Sequence, residues 1–225
     1  MTRTFQVLIL GGLVFAQARP ATADAFTVTL DTSTLSGTQT LAFGFTDGDL
    51  AADNTITLSS FTFDGGSAIA GTQDCTLFGT LSGVGCSGDL TSAVTLSDVG
   101  FQAFFLQQFV VGASLSFTLT TTNQFAAGSP DQFAMYLCDA SFSACYSNDA
   151  TTGAMLLLAL NGEPLSASSF IVTGATDQNL AAPLVTTGPP VAQAVPEPAS
   201  LFLVAIGIAG AALRRTCRWA PSVRL

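Results

Sequence analysis

Aspartate is the side chain through which this chain could do chemistry, because the 225-residue sequence contains no histidine and no lysine. Hydrolysis by a Ser-His-Asp or Cys-His arrangement is therefore excluded, and so is a lysine nucleophile. A glycosidase would need two carboxylates, one with a raised pKa, and Glu163 is the only glutamate ahead of the C-terminal segment. The chain reads as non-enzymatic. Its best metal candidate is Asp47-Gly48-Asp49 followed by Asp53-Asn54. Closely spaced carboxylates in a loop suit Ca²⁺, which takes 6–8 oxygen ligands. The spacing lacks the distal glutamate of an EF-hand, and a solvated turn explains the same residues without a metal. Asp64-Gly65-Gly66, and Asp139 with Asp149, are weaker versions of the same pattern. For sugar contact the candidate is Tyr146, beside Cys145 and Asn148-Asp149.

The charge distribution is lopsided. All 6 basic residues are arginines (Arg3, Arg19, Arg214, Arg215, Arg218 and Arg224), and every one lies near a terminus. Of the 15 acidic residues, all but Glu197 fall within 24–195, so that region carries a formal charge of −14 with no cation. Nothing there can neutralise phosphates, which argues against nucleic acid as a partner. Intradomain salt bridges are excluded as well. Stability has to come from apolar burial, hydrogen bonds and covalent links.

Four of the 5 cysteines lie in this acidic middle: Cys75, Cys86, Cys138 and Cys145. An even number fits disulfides in an oxidising compartment. Three connectivities exist. The local pairs Cys75–Cys86 and Cys138–Cys145 are favoured, each worth about 2.5–3 kcal/mol in the chain-entropy account. Four-cysteine metal binding would want a Cys-x-x-Cys spacing that is absent.

The elements that must carry these residues are strands. Phe26, Val28 and Leu30 alternate with polar residues, as do Leu41, Phe43 and Phe45, then Leu115, Phe117 and Leu119, then Phe133, Met135 and Leu137. Ile56 and Leu58 share one phase, and Phe61 and Phe63 resume one residue out of step, which predicts a bulge at Ser59-Ser60. The run 155–160 reads as a central buried strand, 170–172 as the last strand, and 101–111 as either strand or helix. Asn161-Gly162 is a type I′ hairpin signal. Eight to ten short strands and 18 phenylalanines to fill a core predict an all-β fold, a single β-sandwich of jelly-roll or immunoglobulin-like form over 24–180. The segment 181–194, rich in Pro, Ala, Gly and Thr, reads as a flexible linker.

Both ends carry targeting chemistry. Arg3, the apolar run 5–16 and the small residues Ala21 and Ala23 predict a signal peptide over 1–23, cut after Ala23. At the other end Val195-Pro196-Glu197-Pro198 precedes the apolar stretch 199–213, then Arg214-Arg215 and a tail at 217–225. As a helix, 199–213 would be about 22 Å long, short of the ~30 Å hydrocarbon core. The arginines behind it would stay cytoplasmic, and so would Cys217. An ordinary single-span anchor is the alternative.

Pro196-Glu197-Pro198, a short apolar helix and the Arg214-Arg215 cluster together resemble the PEP-CTERM sorting signal of Gram-negative bacteria, over 195–216. The resemblance implies an inner-membrane precursor, recognition by an exosortase, and an exported product at the cell surface or outside it, often in company with exopolysaccharide and biofilm matrix. The stretch that follows the basic pair is longer than the family's usual few residues. The middle also resembles a group of β-rich PEP-CTERM proteins, through FTVTLDTSTLSG at 26–37, LAFGFTDG at 41–48, NTITLSSF at 54–61 and GASLSFTLT at 112–120. That likeness implies a shared exported β domain and no activity. The expected role is a non-enzymatic surface or matrix protein without a required cofactor, whose partners are the secretion machinery and extracellular polysaccharide. The alternative is a Ca²⁺-assisted carbohydrate-binding module using Asp47, Asp49 and Asp53.

Overall fold

The computed structural model describes residues 23–188. The signal-peptide reading apart from Ala23, the sorting residues Pro196, Glu197, Pro198, Arg214 and Arg215, the apolar stretch 199–213 and the tail all lie outside the described residues. Among the described residues no helix is long and apolar enough to cross a membrane.

Twelve strands form the domain: β1 (Asp24–Asp31), β2 (Thr38–Thr46), β3 (Thr55–Thr62), β4 (Ser67–Ala68), β5 (Cys86–Gly88), β6 (Ala93–Ser97), β7 (Gln102–Val110), β8 (Ser114–Thr121), β9 (Asp131–Asp139), β10 (Leu156–Leu160), β11 (Phe170–Val172) and β12 (Leu184–Thr187). They make two six-stranded antiparallel sheets, ordered β12-β1-β8-β3-β6-β5 and β11-β10-β9-β2-β7-β4. The pairing is nested: β1 with β8, β2 with β7, β3 with β6. One long hairpin rolled across two facing sheets gives this pattern, so the sandwich is a jelly roll rather than immunoglobulin-like.

Between the sheets lies a core rich in phenylalanine. Phe26, Phe43, Phe45, Phe105, Phe109, Phe117 and Phe133 are fully buried. Phe43 is central to it, with its ring centroid 5.6 Å from Phe117, 6.0 Å from Phe133 and 6.1 Å from Phe105. β8 shows the clean alternation expected of a strand with one wet face. The predicted bulge is present: Ser60 has φ 55° and the β3–β8 register shifts between Ser59 and Thr62. Beyond it, Phe61 and Phe63 still pack on the core.

Several expectations need correction. The ambiguous stretch 101–111 is strand β7, buried on both faces over most of its length. Phe105 and Phe109 face the core, while Phe104 and Leu106 lie under Leu77, Leu81, Tyr136 and Phe142 in a second apolar cluster. Two apolar faces erase the period-two signal. Asn161-Gly162 closes no two-residue hairpin, because β10 and β11 are joined through a longer loop containing a 3-10 turn at Ala167–Ser169. The run 155–160 lies between β9 and β11, one place in from a sheet edge rather than at the centre. The stretch 170–172 is not the last strand either. Part of the segment read as linker, Leu184–Thr187, is strand β12, paired along the edge with β1. Its side chains are mostly exposed, so composition gave no strand signal; its backbone hydrogen bonds hold it to β1.

Candidate functional site

Two places on the domain gather chemistry. The first is an acidic pole, built at one end of the sandwich where β2 leads into β3, β6 leads towards β7 and β9 begins. One carboxylate oxygen from each of Asp47, Asp49 and Asp131 lies within 4.8 Å of the others, and the same holds for Asp53, Asp98 and Asp131. Asp131 is common to both groups. The structure thus splits the three sequence candidates, with Asp47 and Asp49 in the first group and Asp53 in the second, and adds Asp98 and Asp131, which sequence reasoning missed. Asp98 and Asp131 are remote along the chain; the signal that could have found them is an Asp at a strand terminus on the same end of the fold.

Local backbone chemistry explains the arrangement. Asp131 is only 1% exposed. Its Oδ1 accepts from the Gly48 N–H at 2.8 Å and its Oδ2 from the Asn54 side-chain amide at 2.8 Å. Gly48 is needed here because a Cβ would overlap the Pro130 carbonyl. Asp98, 3% exposed, accepts at Oδ2 from the Asp53 and Asn54 N–H groups at 3.1 and 2.6 Å. Asp47 Oδ1 accepts from the Leu50 N–H at 2.6 Å, and Asp49 Oδ2 from the Ala126 N–H at 2.8 Å. Asp53 differs from the rest. Its Oδ1 is buried and receives no hydrogen bond among the described residues. Burial raises the Asp53 pKa, and the neighbouring charges of Asp49, Asp131 and Asp47 raise it further. Burial also raises that of Asp98. No arginine, lysine or histidine exists between 20 and 213 to offset these carboxylates.

The weaker metal candidates resolve into turns. Asp139 accepts from Ser143 and Ser141, both hydroxyl and backbone N–H. The Ser143 hydroxyl leads those contacts in pulling its pKa down to about 2. Asp149 likewise accepts from Thr151 and Thr152. Asp64 takes a left-handed φ of 37° in the turn before β4.

The second place is the outer face of the β2–β7 sheet. Two disulfides brace the loops beside it with the local pairing expected: Cys138–Cys145 spans the turn after β9, and Cys75–Cys86 ties the loop before β5 to β5 itself, an edge strand of the opposite sheet. The loops they brace rise on either side of an open groove of about 430 Å³, lined by Thr40, Asp74, Phe78, Gln108 and Ser141 among others. Leu77, Phe78 and Phe142 all adopt positive φ (48°, 56° and 57°), a costly conformation for residues of this size. Phe78 is nevertheless 64% exposed, with its ring centroid 6.2 Å from that of Phe142. Asp74 holds the turn: burial works against its charged form, but hydrogen bonds from the Thr76 hydroxyl and the Thr76 and Phe78 N–H groups prevail and lower its pKa. Tyr146, expected as an exposed sugar contact, is instead half-buried against the core, and its hydroxyl donates to Gln39 Oε1 at 2.9 Å.

Ala23, the last residue of the predicted signal, is buried, and Asp24 immediately opens β1, paired with Thr121. A cut after Ala23 would leave the whole of β1 in the domain.

Fold and sites together define an acidic, disulfide-braced jelly-roll module. A family model of the PEP-CTERM protein-sorting motif matches residues 194–215, so the chain carries a PEP-CTERM sorting domain behind that module. The motif marks an exported protein, processed by an exosortase at the membrane and sorted to the cell surface. We find no match to the chain among curated proteins or solved structures.

Proposed function

We propose that the sorted domain is a non-enzymatic surface or matrix protein that holds extracellular polysaccharide, with a neutral glycan seated in the groove between the two disulfide-braced loops. The observation that carries this reading is Phe78. A large apolar side chain is shown to solvent from a left-handed backbone position, at the rim of a groove whose walls are covalently braced. Strain of that kind calls for a functional explanation, and an aromatic face is a stacking platform for the C–H face of a sugar. The absence of cations from a region of charge −14 disfavours anionic polysaccharides. The absence of histidine and lysine supports a binding role over hydrolysis.

Glycan-array screening of the exported protein, followed by calorimetry on the hits, tests this. Binding of at least one neutral polysaccharide is expected. Phe78→Ala should weaken it at least tenfold, a loss of about 1.4 kcal/mol, while leaving the melting temperature nearly unchanged because Phe78 is exposed. No glycan should be hydrolysed. Failure to bind any glycan, or binding indifferent to Phe78→Ala, would contradict the proposal.

A further inference from the structure

We infer that the end of the sandwich from which the chain leaves for its sorting motif is a second recognition surface for the exosortase. Leu50, Val99 and Phe101 engage a face of that partner which is apolar and basic. The surface stands apart from the glycan groove and does not depend on it.

Strand pairing puts three loops and the exit of the chain at this one end. Asp24 opens β1 opposite Thr121 at the close of β8, Thr121 faces Ile56 near the start of β3, and Thr55 faces Ser97 at the close of β6. Thr46 at the close of β2 pairs with Gln102 at the start of β7. β12 ends here too: Thr187 pairs with Phe26, and the Gly188 N–H donates to the Ala25 carbonyl at 2.8 Å. Each of the three loops shows a large apolar side chain to solvent. Leu50, between β2 and β3, is 79% exposed; Val99 and Phe101, between β6 and β7, are 64% and 70% exposed; Phe125, between β8 and β9, is 39% exposed. Leu50 sits on a left-handed backbone, at φ 63°, which glycine or asparagine would adopt at less cost. The loops are tied to one another. The Asp47 N–H donates to the Phe101 carbonyl at 3.0 Å, and the Ala126 N–H to Asp49 Oδ2 at 2.8 Å. Single exposed apolar residues need no explanation, but a group of them on the linked loops of one end marks a surface that meets a partner.

Reach and charge choose the occupant. Pro196 follows Gly188 by eight positions, a separation of at most about 29 Å when fully extended. Whatever holds the sorting motif therefore has this end of the domain within range, and the motif is processed by an exosortase at the membrane. So short a tether gives a high effective concentration, and a weak contact then suffices. As to charge, the same loops carry Asp47, Asp49, Asp53 and Asp98, and the region 24–188 holds no cation. Apolar tips that enter a bilayer surface are ordinarily backed by Lys and Arg, which anionic lipids attract. The reverse charge here disfavours a bilayer and favours a basic protein face. A second copy of this acidic end would be repelled in the same way.

Pulse-chase of the full-length precursor in the producing cells tests this, read by the mass lost with the C-terminal tail. Leu50→Ser combined with Phe101→Ser should slow processing at least about fivefold. The purified double variant should melt close to the wild type, because both side chains are exposed. Ile171→Ser, at a residue 66% exposed on edge strand β11, should be processed at the wild-type rate. Leu50→Lys should be processed more slowly than Leu50→Glu. A wild-type rate for the double variant would overturn the proposal. So would an equal defect in Ile171→Ser, which would indicate a general effect of surface apolarity. Faster processing of Leu50→Lys than of Leu50→Glu would also overturn it, assigning this end to an anionic bilayer.

Discussion

Phe43→Ala is expected to remove about 4 kcal/mol of stability. The side chain is fully buried in the middle of β2 and faces Phe61, Phe105, Phe117 and Phe133 from both sheets. Its deletion loses apolar burial and also leaves a cavity that rigid aromatic neighbours cannot collapse into. Edge-to-face and stacked pairs add to the loss, at about 0.5–1.5 kcal/mol each. For a domain of this size the melting temperature should fall by roughly 8–16 °C. Phe43→Leu should recover much of the difference. Phe101→Ser, at a residue 70% exposed, should change little. Thermal melting of the three variants checks the ranking. A Phe43→Ala loss no greater than that of Phe101→Ser would mean that the two sheets do not close on a shared phenylalanine core.

Replacing Pro196, Glu197 and Pro198 together by alanine should abolish surface delivery and leave precursor in the membrane fraction with its C-terminal tail attached. The matched motif at 194–215 is the feature an exosortase reads. Without Pro196-Glu197-Pro198, the chain retains the rest of the motif: an apolar stretch of about 22 Å if helical and the arginines behind it, which the positive-inside rule keeps cytoplasmic. Nothing else in the sequence would release it. Cell fractionation with mass determination of the retained species is the measurement, and undiminished delivery of a processed product would contradict the prediction.

How much of this could be read from the sequence depended on how many faces of each strand meet water. β1, β8 and the start of β3 each keep one polar face, so their inward residues announce themselves at every second position. β7 lost that signal because the Cys75–Cys86 loop and Phe142 cover its outer face. β12 gave none because almost all of its side chains are exposed and only its backbone is committed to the sheet. The local disulfides were legible because the four cysteines fall into two close pairs in a chain bound for an oxidising compartment. At the acidic pole, Asp47, Asp49 and Asp53 were visible through their spacing. Asp98 and Asp131 were not, since strand pairing alone delivers them to the same point. The groove was illegible for the same reason: its two walls come from loops more than fifty residues apart in sequence, and nothing local to Phe78 indicates that its backbone is left-handed.

An acidic, cation-free domain that is exported and reaches the surface through its sorting motif should leave a covalent record of that route. Intact-mass analysis of the native protein, combined with thiol labelling of each cell fraction, reads that record. The expected product is a surface or extracellular species that starts at Asp24, with Cys75, Cys86, Cys138 and Cys145 all protected from the label as two disulfides. A full-length cytosolic species, still beginning at Met1 and with all four thiols reactive, would contradict it.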